Sequence, residues 1–147
     1  MKNLVKVVVA SALALSAFQA SALTEKLDIT LNVKQPLTLV NTKALEFGTI
    51  FTSETVDQVI QYTDPEAAAF DVTGETGSIV GVSVNNGNTV ELDNAGNKLV
   101  VTFNNPAALT LAAGTTVLNV GGTVGVAGKT LVAGAYSAQV DVAVTYQ

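Results

Sequence analysis

The sequence predicts a single all-β domain, a sandwich of two antiparallel sheets with immunoglobulin-like packing. Apolar residues recur with period two: Leu27, Ile29, Leu31 and Val33 alternate with Asp28, Thr30, Asn32 and Lys34. The runs are built from Val, Thr, Leu and Ile, which suit a half-buried pleated surface. Gly and Asn clusters separate many such short runs, the rhythm of a sandwich.

The chain opens differently. Lys2 and Lys6 precede an apolar run from Val7 to Phe18, and Ala20-Ser21-Ala22 offers small residues at a cleavage site. This order is that of a secretory signal peptide over residues 1–22, cut after Ala22. The run is short of the ~20 residues a membrane-spanning helix needs.

The first alternating run lies in an extension over residues 23–34, and the domain proper spans 35–147. Pro36 interrupts the alternation, and a strand resumes over Leu37–Val40. Leu45 to Phe51 is a second apolar stretch, and Val59 to Tyr62 a short strand before the turn at Asp64-Pro65-Glu66. Residues 67–70 could make one helical turn, but Phe70 to Thr73 reads better as a strand. Ser78 to Val84 is a strand, and the Asn85–Asn88 cluster with Gly87 predicts a hairpin, because Asn and Gly tolerate positive φ. Thr89 to Leu92 returns, residues 93–97 turn again, and Lys98 to Phe103 runs out. Leu109 to Leu111, Val117 to Val120 and Val124 to Val126 are short strands separated by glycine. The last run is the most regular. Tyr136, Ala138, Val140, Val142, Val144 and Tyr146 share one face, against Ser137, Gln139, Asp141, Ala143 and Thr145.

Composition excludes several chemistries. The chain has no His and no Cys, so Ser-His-Asp and Cys-His nucleophiles and N/S metal sites are absent. A glycosidase needs two facing carboxylates; Glu91 with Asp93, or Asp64 with Glu66, are candidates only by being acidic. Asp93, Asn94 and Asn97 put oxygen ligands in one turn, yet Asx-turn chemistry accounts for them without calcium. The cluster Gly121-Gly122-Thr123-Val124-Gly125 through Gly128 lacks a phosphate-loop ending and predicts tight β-turns. Beyond residue 22, five lysines face twelve carboxylates and there is no Arg. Such a surface repels nucleic-acid backbones. No catalysis, cofactor, metal or nucleic-acid partner is expected.

The two ends carry the remaining signal. Gly134, fourteen places from the end, the alternating apolar run after it and the next-to-last Tyr146 resemble the C-terminal signature of chaperone–usher pilus subunits. Upstream, Leu45-Glu46-Phe47-Gly48, Phe70-Asp71-Val72-Thr73-Gly74, Val120-Gly121-Gly122-Thr123 and Gly134-Ala135-Tyr136 are similar to a family of small exported Gram-negative proteins of undefined function. That family shares the strand plan of spore-coat-U and archaic pilins. The resemblance implies an immunoglobulin-like fold lacking its final strand, filled first by a periplasmic chaperone and then by a neighbour's N-terminal extension. Carried onto this chain, Leu27, Ile29, Leu31 and Val33 are the donor plugs. Gly134, Val140, Val142, Val144 and Tyr146 belong to the acceptor groove and its chaperone contact. The disulfide of many pilins has no counterpart here.

The resemblance therefore implies a structural subunit of a surface fibre, a homopolymer exported through the periplasm with a chaperone and an outer-membrane usher, and not embedded in the membrane. The alternative is a self-complete secreted or periplasmic sandwich that binds a small ligand or a carbohydrate. A tip adhesin would need a lectin domain for which the chain has no room.

Overall fold

The computed structural model describes residues 24–85 and 87–147. The expected signal peptide and Leu23 lie outside them. The chain divides between Asn32 and Val33 into two units. In the first, residues 24–32 form no strand, although residues 27–32 alternate strictly between apolar and polar. Leu27, Ile29 and Leu31 are 82%, 85% and 87% exposed. A period-two pattern specifies a face to bury but supplies no partner to bury it against.

The second unit is all-β. Its strands are β1 (Thr38–Lys43), β2 (Gln58–Ile60), β3 (Ala68–Thr73), β4 (Ile79–Val84), β5 (Thr89–Asn94), β6 (Asn97–Asn104), β7 (Ala108–Thr110), β8 (Thr116–Gly125) and β9 (Val142–Tyr146). No helix occurs among the described residues. The larger sheet has the order β1-β3-β8-β6-β5, with β2 also paired to β8, and the smaller is β7-β4-β9. Every strand pair is antiparallel. Two sheets with one core follow from the alternation. Val72, Val101, Leu118 and Val120 of the larger sheet are buried together with Val80 and Val84 of β4. Each such side chain contributes about 1.5–3 kcal/mol when removed from water.

Three expectations change on folding. The turn after β4 has the left-handed geometry its residues predict, with φ of 45° at Asn85, 89° at Gly87 and 60° at Asn88. It is not a hairpin, because β4 pairs with β7 and β9 while β5 pairs with β6. Positive φ reverses or bends a chain, but burial decides which sheet receives it. The true two-residue hairpin is the next one, where Ala95 and Gly96 have φ of 50° and 91° between β5 and β6.

Gly121 and Gly122 are not turn residues. They lie inside β8, which pairs with β3 over its first half and with both β2 and β6 over its second. A Cβ on Gly121 would overlap the Ile60 carbonyl oxygen, and one on Gly122 would sit 3.3 Å from both Leu45 and Phe47. Glycine here makes room for a crossing backbone on one face and for two large side chains on the other. The expected turn is confined to Val126–Lys129, where the Lys129 N–H donates to the Val126 carbonyl at 3.0 Å.

The apolar stretch from Leu45 to Phe51 is a loop, with Leu45, Phe47 and Ile50 half-buried. The run from Tyr136 to Tyr146 keeps its alternation but becomes strand only from Val142. Earlier residues make one bridge, Ser137 to Asp93.

Candidate functional site: an apolar groove

The concave face of the larger sheet carries a groove of about 1430 Å³. Its floor includes Phe70 of β3, Leu92 of β5, Leu99 and Val101 of β6, and Val120 and Val124 of β8. These are the inward positions of each strand, so sheet register alone lines them up. One wall is the loop carrying Leu45, Phe47, Ile50 and Phe51; the other is the segment from Leu131 to Val142. Gly48 has φ 74°, which lets the loop double back between Phe47 and Ile50.

The expected acceptor residues divide. Gly134, Val140 and Val142 line the groove, whereas Val144 and Tyr146 do not. Val144 pairs with Val82 across β9 and β4. Tyr146 turns the other way, onto the β3–β4 connection. Its hydroxyl accepts the Glu75 N–H at 2.7 Å and donates to the Gln35 carbonyl at 2.7 Å. The Lys34 ammonium lies 4.7 Å from its ring centroid, a cation–π distance. A Cβ on Gly74 would come within 2.6 Å of that hydroxyl, so glycine at 74 admits the ring.

Gly134 adopts φ 144°, and a Cβ there would lie 2.5 Å from Asn94 Nδ2. The same amide points at the carbonyls of Val132 and Ala133, each 3.4 Å away. The Gly134 wall is thereby tied to the β5–β6 hairpin. Of the expected donor plugs, Val33 is 78% exposed, in keeping with the three plugs of the first unit.

Titratable groups serve local structure. Glu91 and Lys98 are diagonal neighbours on β5 and β6, 2.6 Å apart, and the hydrogen bond that the ammonium donates to that carboxylate raises the Lys98 pKa above its ordinary value. Asp93 accepts the Gly96 N–H at 3.3 Å, and Asp64 the Gln61 N–H at 2.7 Å. The Asn97 amide donates to the Asn94 carbonyl at 3.1 Å. Of the carboxylates weighed as acid–base pairs, Asp64 and Asp93 thus cap turns and Glu91 joins a cross-strand ion pair. Among the groove-lining residues only Glu46 and Asp141 are acidic and none is basic.

Sequence reasoning missed one wall. Leu45, Phe47 and Ile50 were legible as apolar, but nothing in their spacing announced a groove, and only the floor behind them gives them that role. Tyr136 also lines the groove, and membership of the alternating face was its only signal.

Fold and groove together define a β-sandwich protein with a long apolar cleft along one sheet. The chain belongs to the family described as a domain of unknown function (DUF4402), whose model matches residues 37–146. No curated protein and no solved structure matches it. No helix among the described residues is long and apolar enough to cross a membrane.

Proposed function

We propose that the protein is a structural subunit of a surface fibre, assembled when the 24–34 segment of one copy enters the groove of the next. The observation that carries this reading is an apolar groove in the same chain as an alternating segment that forms no strand of its own. The groove holds about 1430 Å³, more than the roughly 300–1,000 Å³ of small-molecule pockets. Most of its lining residues are apolar, which suits the apolar face of an added strand. Leu27, Ile29, Leu31 and Val33 stand at every second residue, the spacing at which an added strand presents one face. An exposed groove and edge of this kind invite aggregation. A periplasmic chaperone strand that covers them until an usher brings the next subunit answers that hazard, and export by the residue 1–22 leader delivers the chain there.

The test is deletion of residues 24–33 from the exported protein. Electron microscopy and size-exclusion chromatography should show fibres from the parent and only monomers from the deletion. Fibres from the deletion would refute the donor assignment. A parent that stays monomeric, stable and chaperone-free would instead favour the self-complete ligand-binding sandwich.

A further inference from the structure

The change from exposed chain to fastened chain falls at one residue. Val33 is the last member of the alternating apolar set and stands exposed. From Lys34 onward each residue is held by a device of its own. The Lys34 ammonium lies over the Tyr146 ring, 4.7 Å from its centroid. The Gln35 carbonyl accepts the Tyr146 hydroxyl at 2.7 Å, and the Gln35 N–H reaches Glu75 Oε2 at 3.3 Å. The Pro36 ring locks its own φ and keeps Gln35 in extended backbone. Leu37 packs on the core beside Gly74, where a Cβ would come within 2.8 Å of it. Thr38 begins β1, and its hydroxyl bonds that of Thr73.

Tyr146 is itself firmly seated. It lies opposite Val80 in the β4–β9 pair, and beyond it the Gln147 N–H donates to the Ile79 carbonyl at 3.1 Å. Its hydroxyl also accepts the Glu75 N–H at 2.7 Å. The root of the N-terminal segment is thus fastened to β9 and to the β3–β4 connection at once. None of residues 34–38 is Gly or Ser, the residues that give a linker slack. A groove guest needs none of this. The apolar face of residues 27–33 would fill a groove as well from a slack tether, and every fastening falls outside that set.

Resting on the fibre-subunit reading, we infer that donation ends at Val33 and that Tyr146 clamps the root of each donated segment to its own domain, which makes the joint between successive subunits stiff. A subunit held by its neighbour up to Val33, and fixed to its own sheets from Lys34, keeps no free residue between the two. Bending at the joint must then break the Gln35 hydrogen bonds or lift Lys34 off the ring. A subunit on a slack linker would swing without breaking either. Tyr146 is here a positioning residue: it touches the root of the segment and does not line the groove.

The test images fibres of the full exported chain by negative-stain electron microscopy and measures their persistence length. Tyr146→Phe removes both hydroxyl bonds and should shorten it about twofold or more. Asp57→Ala loosens the turn after β8 and leaves the root alone, so it controls for lost stability and should match the parent. A Gly-Ser pair inserted between Val33 and Lys34 keeps the clamp but adds slack, and should soften the fibre at least as much as Tyr146→Phe. Tyr146→Phe fibres as stiff as the parent's would overturn the clamp, and so would equal softening by Asp57→Ala. Unchanged stiffness after the insertion would show that the parent joint already swings, and would overturn it even if Tyr146→Phe failed to fold. Each of these results leaves the fibre reading standing. A parent that forms no fibres would overturn both.

Discussion

The Tyr146 hydroxyl donates to the Gln35 carbonyl at 2.7 Å while accepting the Glu75 N–H. One side chain at the end of β9 thereby holds both the β3–β4 connection and the segment that leads into β1. The Gln35 N–H also reaches Glu75 Oε2, at 3.3 Å.

Tyr146→Phe keeps the ring and removes both bonds. Leaving a part-buried N–H and a carbonyl without that partner should cost about 1–3 kcal/mol in urea unfolding. The Gln35 and Leu37 amides should exchange faster than in the parent. A loss below about 0.5 kcal/mol would mean that water replaces the hydroxyl at no cost.

Asp57 Oδ1 accepts the N–H groups of Val126 and Ala127, both at 2.8 Å, and so holds the turn that ends β8. These are charge-assisted bonds. Asp57→Ala should lower stability by about 1.5–3 kcal/mol, and Asp57→Asn by less, since an amide oxygen still accepts. Equal losses from the two variants would show that the charge, not the acceptor geometry, matters.

Gly121→Ala puts a methyl group against the Ile60 carbonyl and 2.5 Å from Asn104 Oδ1. Asn104 brackets the same segment, accepting the Tyr62 N–H at 2.7 Å and donating to Ile60 at 3.1 Å. A cost of about 1–3 kcal/mol is expected, with β2 released from β8 in exchange measurements. An unchanged melting temperature would contradict the close approach.

Ala95 occupies φ 50°, which costs an L-residue with a Cβ roughly 1–2 kcal/mol. Ala95→Asn supplies the residue that type I′ hairpins favour. Stability should rise by about 0.5–1 kcal/mol, and thermal unfolding reads it directly. A drop would mean that the turn is held in another geometry.

Lys98 gains a proton-stabilising partner in Glu91. Its folded pKa lies above the unfolded one, so the pair's contribution is complete below the ordinary lysine value of 10.5 and is lost as pH rises through the folded value. The pair is exposed, and its effect is small and salt-sensitive. Comparing parent and Lys98→Met melting curves at neutral and strongly alkaline pH should show the difference shrinking at high pH; a constant difference would exclude the ion pair as its source.

Much of the strand plan was legible. Thr89 to Phe103 read as two strands around an Asn-Gly turn region and fold as β5 and β6. Ser78 to Val84 reads and folds as one strand. What failed was partner choice. The Asn85–Asn88 cluster carried the right dihedrals and the wrong pairing, because turn chemistry is local and sheet membership depends on residues far along the chain. Gly121 and Gly122 read as turns because the reason for glycine, a crossing β2 and two large side chains, comes from residues some sixty to eighty positions away. Of the candidate site, the face holding Val140, Val142, Val144 and Tyr146 was visible in the alternation. Its division into groove-lining residues and a Tyr146 anchor was not.

The amino-acid sequence by itself determined that this chain is β, that its carboxylates outnumber its cations and that two alternating runs stand near its ends. Those are properties of period and composition, which need no partner to exist. Tertiary structure decided where the runs go. It left residues 24–32 without a strand, paired β9 to β4 and opened an apolar groove that Gly134, Val140 and Val142 help to line. Backbone polar groups are satisfied only by a neighbouring strand, and which neighbour arrives is settled by how the whole chain buries its faces.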